Sequence, residues 1–172
     1  MAIIYKNFVQ SLFRILPLIL LYFLSITELD TEFSNMFEIL SFNLQLIVVY
    51  YWMLKNPSVL GSGHVFFAGI INDVITGLPM GTSSLGYLLT SFVALYIRNV
   101  TVNKSLFTDW FTFIIAIFFS YLTFIILISN YSSYTFSYVD LFYNSFFTFL
   151  FFPLFWAIFE TYKNLVFLKK DD

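Results

Sequence analysis

One carboxylate stands inside a long apolar segment, where ionisable side chains are rare. The segment runs from Phe66 to Leu89, FFAGIINDVITGLPMGTSSLGYLL, and its acid is Asp73. A carboxylate in the hydrocarbon core of a bilayer costs about 2.5–3.5 kcal/mol on insertion scales, so it indicates a binding site or a partner contact. The structural alternative is a carboxylate that reaches water at the outer surface or caps the broken end of a helix.

Glycine surrounds this acid at a regular spacing. Gly69, Asp73, Gly77 and Gly81 recur every four residues. On a helix, Gly69 and Asp73 share a face, so the missing side chain of Gly69 lets another helix approach beside the carboxylate. Small-residue spacing alone is common in membrane helices, but here it is combined with an acid and a turn.

The same segment contains a proline that an uninterrupted helix would not tolerate. Pro79 has no N–H donor and disfavours the helical conformation of the residue before it. We therefore predict that the helix stops near Thr76 and that GLPMG forms a tight outer turn. The next helix would begin with Thr82 or Ser83 as N-cap, and the positive end of its dipole would face the acid.

Other polar side chains fall at a similar depth in the predicted helices. They are Ser41, Asn43, Gln45, Asn72, Thr82, Ser83, Ser84 and Asn144. Because hydrocarbon offers no hydrogen-bond partners, we expect these side chains to share one interior cluster in the outer half of the protein. For serine and threonine, the alternative is a hydrogen bond to a backbone carbonyl of their own helix.

Recognised catalytic patterns are missing from the sequence. There is no Cys, and the single His64 precedes Asp73 by nine residues, about 13 Å along a helix and on its opposite face. H-E-x-x-H, G-x-S-x-G, paired G-x-x-x-D and Walker A sequences are absent. We predict a protein that is not an enzyme and uses no metal or cofactor. His64 is interpreted as an interfacial or capping residue, and Asp109 and Glu160 as solvated charges.

The composition indicates a membrane protein. Of 172 residues, 60% are hydrophobic and 10% are charged, and the net charge is −2. Soluble domains carry about 25% charged residues, and a nucleic-acid-binding protein would carry a basic patch. We predict one all-α membrane domain over residues 1–172, with no soluble domain. Six transmembrane helices are expected at about 8–28, 36–54, 58–76, 83–100, 107–128 and 139–161.

The basic residues give these helices an orientation. All eight Lys and Arg residues lie in alternate connecting segments or in the helix ends beside them, beginning with the N-terminal segment, where Arg14 lies just inside the first helix. Because Lys and Arg mark cytoplasmic loops, both termini are predicted to be cytoplasmic and Asp73 to lie near the outer surface. An alternative for the N-terminus is that residues 3–13 form an amphipathic lead-in along the membrane surface.

The central segment resembles the rod-shape-determining protein MreD family. The family pattern of an apolar helix with Gly, Asp, Gly and Gly at four-residue intervals is similar to Phe67–Gly81. The upstream LSFNLQLIVVYYWMLKNPSVLGSG, from Leu40 to Gly63, is similar to the family's preceding helix and basic turn. Asn144 and Pro153 match the Asn and Pro of its last helix. One departure is Asn72, where the family commonly has an apolar residue.

The resemblance implies a non-catalytic role in the bacterial inner membrane. MreD-like proteins belong to the cell-elongation machinery and associate with MreC, a single-span protein. Through MreC they connect to MreB filaments and to RodA with a class B penicillin-binding protein. It also implies a fold like the substrate-binding subunits of energy-coupling-factor transporters. The residues expected to form a partner or structural site are Gly69, Asn72, Asp73, Gly77, Pro79, Gly81 and Asn144.

Two other functions stay open at this point. A vitamin-like small molecule could bind the outer polar cluster, as in a transporter's substrate-binding subunit. However, the first helix lacks the small residues by which such subunits dock their energising partner, and the outer segments lack Arg. An ion or proton pathway through Asp73 is the third hypothesis, but no second acid lies deep in the membrane to relay charge.

Overall fold

A computed structural model describes the backbone of residues 2–27, 42–101, 105–131 and 137–167, and the side chains from residue 13 onward. Within these ranges the protein consists of seven α-helices and no strand. The helices are α1 (Ala2–Ile26), α2 (Leu44–Lys55), α3 (Pro57–Leu60), α4 (Ser62–Ile75), α5 (Thr82–Val100), α6 (Leu106–Ser129) and α7 (Tyr138–Phe167).

Helix α2 forms the centre of the bundle. Its sequence LIVVYYWML, Leu46–Leu54, is buried at nine consecutive positions, which is expected only for a helix covered on all sides. Around it, α1, α4, α5, α6 and α7 contact one another in that cyclic order, and α2 packs against α1, α5, α6 and α7. The single-turn α3 joins α2 to α4.

The outward faces of the surrounding helices are apolar. Large side chains that are more than half exposed lie on α1 (Phe23), α5 (Phe92), α6 (Phe118) and α7 (Phe142). A continuous apolar exterior of this kind suits lipid rather than water. At 24 and 30 residues, α6 and α7 are each long and apolar enough to cross a bilayer, and shorter apolar helices accompany them. The described part of the chain is therefore all-helical, with the apolar exterior of a membrane protein.

Two predicted helix boundaries are wrong, and both errors have a local cause. The helix expected from residue 36 begins only at Leu44, because the Asn43 side chain accepts the Leu46 N–H at 2.9 Å and caps the helix. The helix expected over 58–76 is interrupted at Gly61, whose φ of +66° separates α3 from α4. Residues 28–41, which precede the Asn43 cap, lie outside the described part.

The remaining boundaries agree more closely with the sequence pattern. The fourth and fifth predicted helices match α5 and α6 to within a residue, and the sixth, α7, continues to Phe167. At the N-terminus the backbone from Ala2 to Ile26 is one helix, which begins six residues before the predicted start at residue 8 and ends two residues before the predicted end at residue 28. A course of residues 3–13 along the membrane surface stays an alternative prediction.

A buried ion pair joins three helices at the end of α2. The Lys55 ammonium lies 2.5 Å from the Asp109 carboxylate, and both side chains are almost fully buried. The same carboxylate accepts the Trp156 indole N–H at 2.9 Å, and the ammonium lies 5.7 Å from the Trp156 ring centre. The pair thus ties α2 to α6 and α7, and we refer to this end of the bundle as the Lys55 end.

The interpretation of Asp109 as a solvated charge is therefore wrong. Sequence places this acid in the first turn of a helix, but its side chain turns inward, where Lys55 compensates its charge. Glu160 was interpreted in the same way, and it too is paired. It accepts the Tyr51 hydroxyl at 2.8 Å and the Lys163 ammonium at 2.5 Å, in a partly exposed position.

The two ion pairs predict different sensitivities to the loss of a lysine. We expect Lys55→Met to lower the free energy of unfolding by about 3–5 kcal/mol, because it leaves the Asp109 carboxylate buried without a counter-charge. Lys163→Met is the matched control and should cost at most about 1 kcal/mol, because its pair is partly exposed. Equilibrium unfolding in mixed micelles measures both. Equal losses in the two variants would contradict the claim that the buried Lys55–Asp109 pair stabilises the protein more than the partly exposed Lys163–Glu160 pair.

Candidate functional site

The segment between α4 and α5 is a compact hairpin, which begins where α4 ends. The Thr76 N–H donates to the Asn72 carbonyl, and the Leu78 N–H reaches back to the Asp73 carbonyl, both at 2.9 Å. Gly77 between them has φ of +68°, the left-handed conformation in which glycine commonly ends a helix. The predicted end of the helix near Thr76 is confirmed.

The chain then reverses in a four-residue turn, Pro79 to Thr82. The Thr82 N–H donates to the Pro79 carbonyl at 3.2 Å, and the Thr82 hydroxyl donates to the same oxygen at 2.8 Å. Gly81, the third residue, has φ of +104° and ψ of −15°, values near those of a type II turn, which favours glycine at this position. The predicted GLPMG turn is therefore confirmed, and we call its side of the bundle the hairpin end.

The carboxylate of Asp73 caps the start of α5. It is fully buried, and its two oxygens accept the backbone N–H of Gly81 at 2.8 Å and of Ser83 at 2.7 Å. These donors belong to the unpaired first turn of α5, where the helix dipole also favours an anion. The predicted side-chain cap at Thr82 or Ser83 is wrong, because Gly81 is the N-cap residue and the capping oxygens come from α4.

Gly69 brings the two arms of the hairpin into backbone contact. A Cβ atom added to Gly69 would lie 2.3 Å from the Cα of Ser84 and 2.6 Å from its nitrogen, too close for any side chain. The predicted close approach of a helix beside the carboxylate is confirmed. The Ser84 hydroxyl at this contact is buried and finds no hydrogen-bond partner in the described residues.

Asn72 bonds to side chains of other helices, whereas the adjacent Asp73 side chain bonds to backbone N–H groups. Its side-chain oxygen accepts the Gln45 amide N–H at 3.0 Å, and its own amide donates to the Ser83 hydroxyl at 3.0 Å. The Gln45 amide also donates to the Leu24 carbonyl at 2.6 Å, and its oxygen accepts the Tyr87 hydroxyl. These bonds connect α1, α2, α4 and α5.

A second group of hydrogen bonds extends the network to α6 and α7. The Asn43 backbone N–H donates to the Thr148 hydroxyl at 2.8 Å, which itself donates to the Asn144 carbonyl at 2.6 Å. The Asn144 side-chain oxygen accepts the hydroxyl of Tyr121. The polar groups of the hairpin end therefore bond mainly to one another across helices rather than within a helix.

These side chains surround a cavity of about 530 Å³ at the hairpin end. It is lined by Asn43, Gln45, Asn72, Leu78, Thr82, Ser83, Gly86, Tyr87, Ser120, Tyr121, Phe124, Ser137, Asp140, Leu141 and Asn144. Six residues of the predicted polar cluster are among them. Ser84 and Asp73 lie outside the lining, and Ser41 belongs to the residues that are not described.

Comparison of the sequence with models of known protein families gives a match over most of the chain. The model of the family described as "rod shape-determining protein MreD" matches residues 9–163. The chain belongs to the MreD family. No curated protein and no solved structure matches it, so the expected likeness to energy-coupling-factor subunits stays a prediction. The matched region runs from α1 almost to the end of α7 and includes the hairpin, the network and the buried ion pair of this MreD-family protein.

Sequence reasoning missed three members of the network, Tyr87, Tyr121 and Thr148. It kept His64 apart from Asp73, and the structure agrees. Tyr87, Tyr121 and Thr148 gave no signal, because Tyr and Thr also occur along the lipid-facing surfaces of this sequence. His64 lies in the first turn of α4, is exposed and bonds the Tyr22 hydroxyl at 3.0 Å, far along the helix from Asp73. Among the described residues, no three His, Cys, Asp or Glu side chains form a cluster that could hold a metal ion.

Helix α4 contains two glycines, one tightly packed and one in open space, so alanine substitutions at both distinguish a steric clash from a gain in helix propensity. We expect Gly69→Ala to destabilise this MreD-family bundle, because the new methyl group meets the Ser84 backbone and forces α4 and α5 apart. Gly63→Ala is the matched control: it has open space and should stabilise the protein by up to about 1 kcal/mol. Thermal unfolding in detergent measures both. If Gly69→Ala were as stable as Gly63→Ala, the close packing of the hairpin would be wrong.

Proposed function

We propose that this protein is a non-catalytic component of the bacterial cell-elongation complex in the inner membrane. In this role it holds an MreC-like single-span protein, and through it connects MreB filaments to RodA, a class B penicillin-binding protein and peptidoglycan synthesis. The observation that carries the proposal is the MreD family match over residues 9–163, which leaves little of the chain outside it. Shape determination is then a property of the helical bundle itself.

We further propose that the bundle crosses the membrane six times, with both termini in the cytoplasm. The apolar exteriors of α1, α4, α5, α6 and α7 around a buried α2 support this topology. The alternation of the basic residues supports an orientation with the Lys55 end at the cytoplasm and the hairpin end outside. The single-turn α3 extends the span of α4 and does not add another.

The bonding of the polar groups supports a scaffold rather than a site of chemistry. Both oxygens of Asp73 are engaged by backbone N–H groups, which disfavours a proton or ion pathway through this acid. Hydrogen bonds join the helices at the hairpin end, and the Lys55–Asp109 pair joins α2, α6 and α7 at the other. A bundle fixed at both ends presents constant outer surfaces to a partner.

Those outer surfaces suit a partner that enters the membrane as a single helix. Association within a bilayer relies on close van der Waals packing between helices, for which shape matters more than hydrophobicity. Only a bundle with a fixed shape provides such a surface. Asp73 and Gly77 act on the partner indirectly, because they determine where α5 begins relative to α4.

The cavity at the hairpin end is the observation that favours the alternative, a small-molecule-binding subunit of a transporter. Its volume of about 530 Å³ lies within the range of ligand pockets. The family match ranks the scaffold first, since it names rod shape determination. A ligand in the cavity is compatible with either role.

Pull-down of an MreC-type partner from detergent-solubilised membranes tests the proposal. We expect Asp73→Ala and Gly77→Leu to lower recovery of the partner and to round the cells, because each removes a feature that shapes the hairpin. Met80→Leu is the matched control in the same turn. Its side chain is 76% exposed, and this variant should retain the partner and the rod shape.

The amount of each variant in the membrane must be measured alongside, by immunoblot. If Asp73→Ala accumulates normally, recovers the partner fully and supports rods, the assignment of this site is wrong. If the unaltered protein recovers no MreC-type partner and its deletion leaves rods intact, the proposed function itself is wrong.

A further inference from the structure

The cavity at the hairpin end has a lining that is unusually polar for a protein of this composition. Its lining comes from α5, α6 and α7, from Asn72 of α4, and from Asn43 and Gln45 at the start of α2. Ligand pockets are commonly apolar with a few polar groups, but here ten of the fifteen lining residues carry an amide or a hydroxyl group. Burying amides and hydroxyls away from water costs free energy in a membrane protein. Their concentration around this cavity therefore indicates a ligand that forms hydrogen bonds.

The hydrogen bonds of the lining fix its side chains and leave some capacity unused. Gln45, Asn72 and Asn144 are held by neighbouring helices. Ser83 accepts the Asn72 amide, and its own hydroxyl proton has no acceptor in the described residues. The Ser120 hydroxyl has no hydrogen bond within the same part of the chain. Groups that both donate and accept are complementary to the hydroxyls of a ligand, which do the same.

The charge of the lining excludes an anionic ligand. No Lys or Arg is among the described residues around the cavity, and its one charged side chain is Asp140, in the exposed first turn of α7. The Asp73 carboxylate lies behind Ser83, with both oxygens already bonded. A phosphate or carboxylate would enter this negative surrounding without a counter-charge and lose its hydration.

Three aromatic rings complete the lining: Tyr87, Tyr121 and Phe124. The hydroxyls of both tyrosines are bonded, to Gln45 and Asn144, so their rings are held in position. Aromatic faces pack against the C–H faces of a sugar ring while amides and hydroxyls bond its rim. We propose that this cavity binds an uncharged, polyhydroxylated group of the glycoside class, either a free sugar or the sugar headgroup of a glycolipid.

Thermal unfolding of the full chain in phosphatidylcholine nanodiscs tests this site. The protein is purified in an amine-oxide detergent, since glycoside detergents would occupy the cavity. The probes are methyl β-glucoside, for a free sugar, and glucosyldiacylglycerol in the nanodisc, for a lipid headgroup, with diacylglycerol as its control. We expect a saturable rise in unfolding temperature with at least one probe. At ten times the dissociation constant, the ratio of folded to unfolded protein should rise about 11-fold.

Adjacent residues of α7 provide a variant and its control. Leu141 lines the cavity, so Leu141→Trp should weaken binding by about tenfold or more, whereas Phe142 is 65% exposed on the outward face and Phe142→Trp should not change it. Ser120→Ala is a milder second variant, because it removes a hydroxyl without a partner in the described chain. It should weaken binding several-fold while the unfolding temperature without ligand stays the same.

Three outcomes would overturn the proposal. The first is no saturable shift with either glycoside. The second is an equal shift in the unaltered protein, Leu141→Trp and Ser120→Ala, which is the general stabilisation that sugars give to proteins. The third is binding of choline or glucose 6-phosphate as tight as that of methyl β-glucoside, which would assign a charged ligand. None of these results bears on the partner pull-down, so the proposed scaffold role and this site fail separately.

Discussion

The two hydrogen bonds from Gly81 and Ser83 to the Asp73 carboxylate allow this protein to reverse its chain inside an apolar bundle. Any break in a helix leaves N–H and C=O groups without partners, and each unpaired group costs free energy where water is absent. Here the end of α4 is closed by the bond from Leu78 to the Asp73 carbonyl. The start of α5 is closed by the carboxylate of the same residue. One residue thus satisfies both ends of the break, through its backbone on one side and its side chain on the other.

The rest of the hairpin end follows from that closure. With α5 held against α4 at the Gly69–Ser84 contact, Ser83 comes within reach of Asn72, and Asn72 within reach of Gln45 at the start of α2. Between the Gln45 amide and the Lys55 ammonium at its two ends, helix α2 carries no further amide or charged side chain along its buried length. Lys55 provides the opposite anchor through Asp109. For an MreD-family protein, we interpret this arrangement as a means of keeping the outer surfaces constant while partners pack against them.

The local features of the site, and the gathering of its polar residues at one depth, could be predicted from the sequence, whereas most of the individual tertiary contacts could not. Gly77, Pro79 and Gly81 restrict their own backbone, so the turn was predictable, and Gly69 was predictable from its spacing to Asp73. The family resemblance was equally visible, because the motif is continuous in sequence. In contrast, the inward rotation of Asp109 depends on where Lys55 lies in three dimensions. The network tyrosines and Thr148 also could not be separated from similar residues that face lipid. The sequence pattern gives the depth of a side chain in the membrane but not the neighbour it faces.

Residue-resolved hydrogen exchange, measured by NMR on the protein in phospholipid bicelles, tests the capping role of Asp73 most directly. The account predicts that the amides of Gly81 and Ser83 exchange slowly in the unaltered protein and at least about tenfold faster in Asp73→Ala, an energy of about 1.4 kcal/mol or more. Amides in the middle of α6, such as that of Phe113, should be unchanged, because they belong to a continuous helix. Fast exchange of the Gly81 and Ser83 amides in the unaltered protein, at the rate seen in Asp73→Ala, would contradict it.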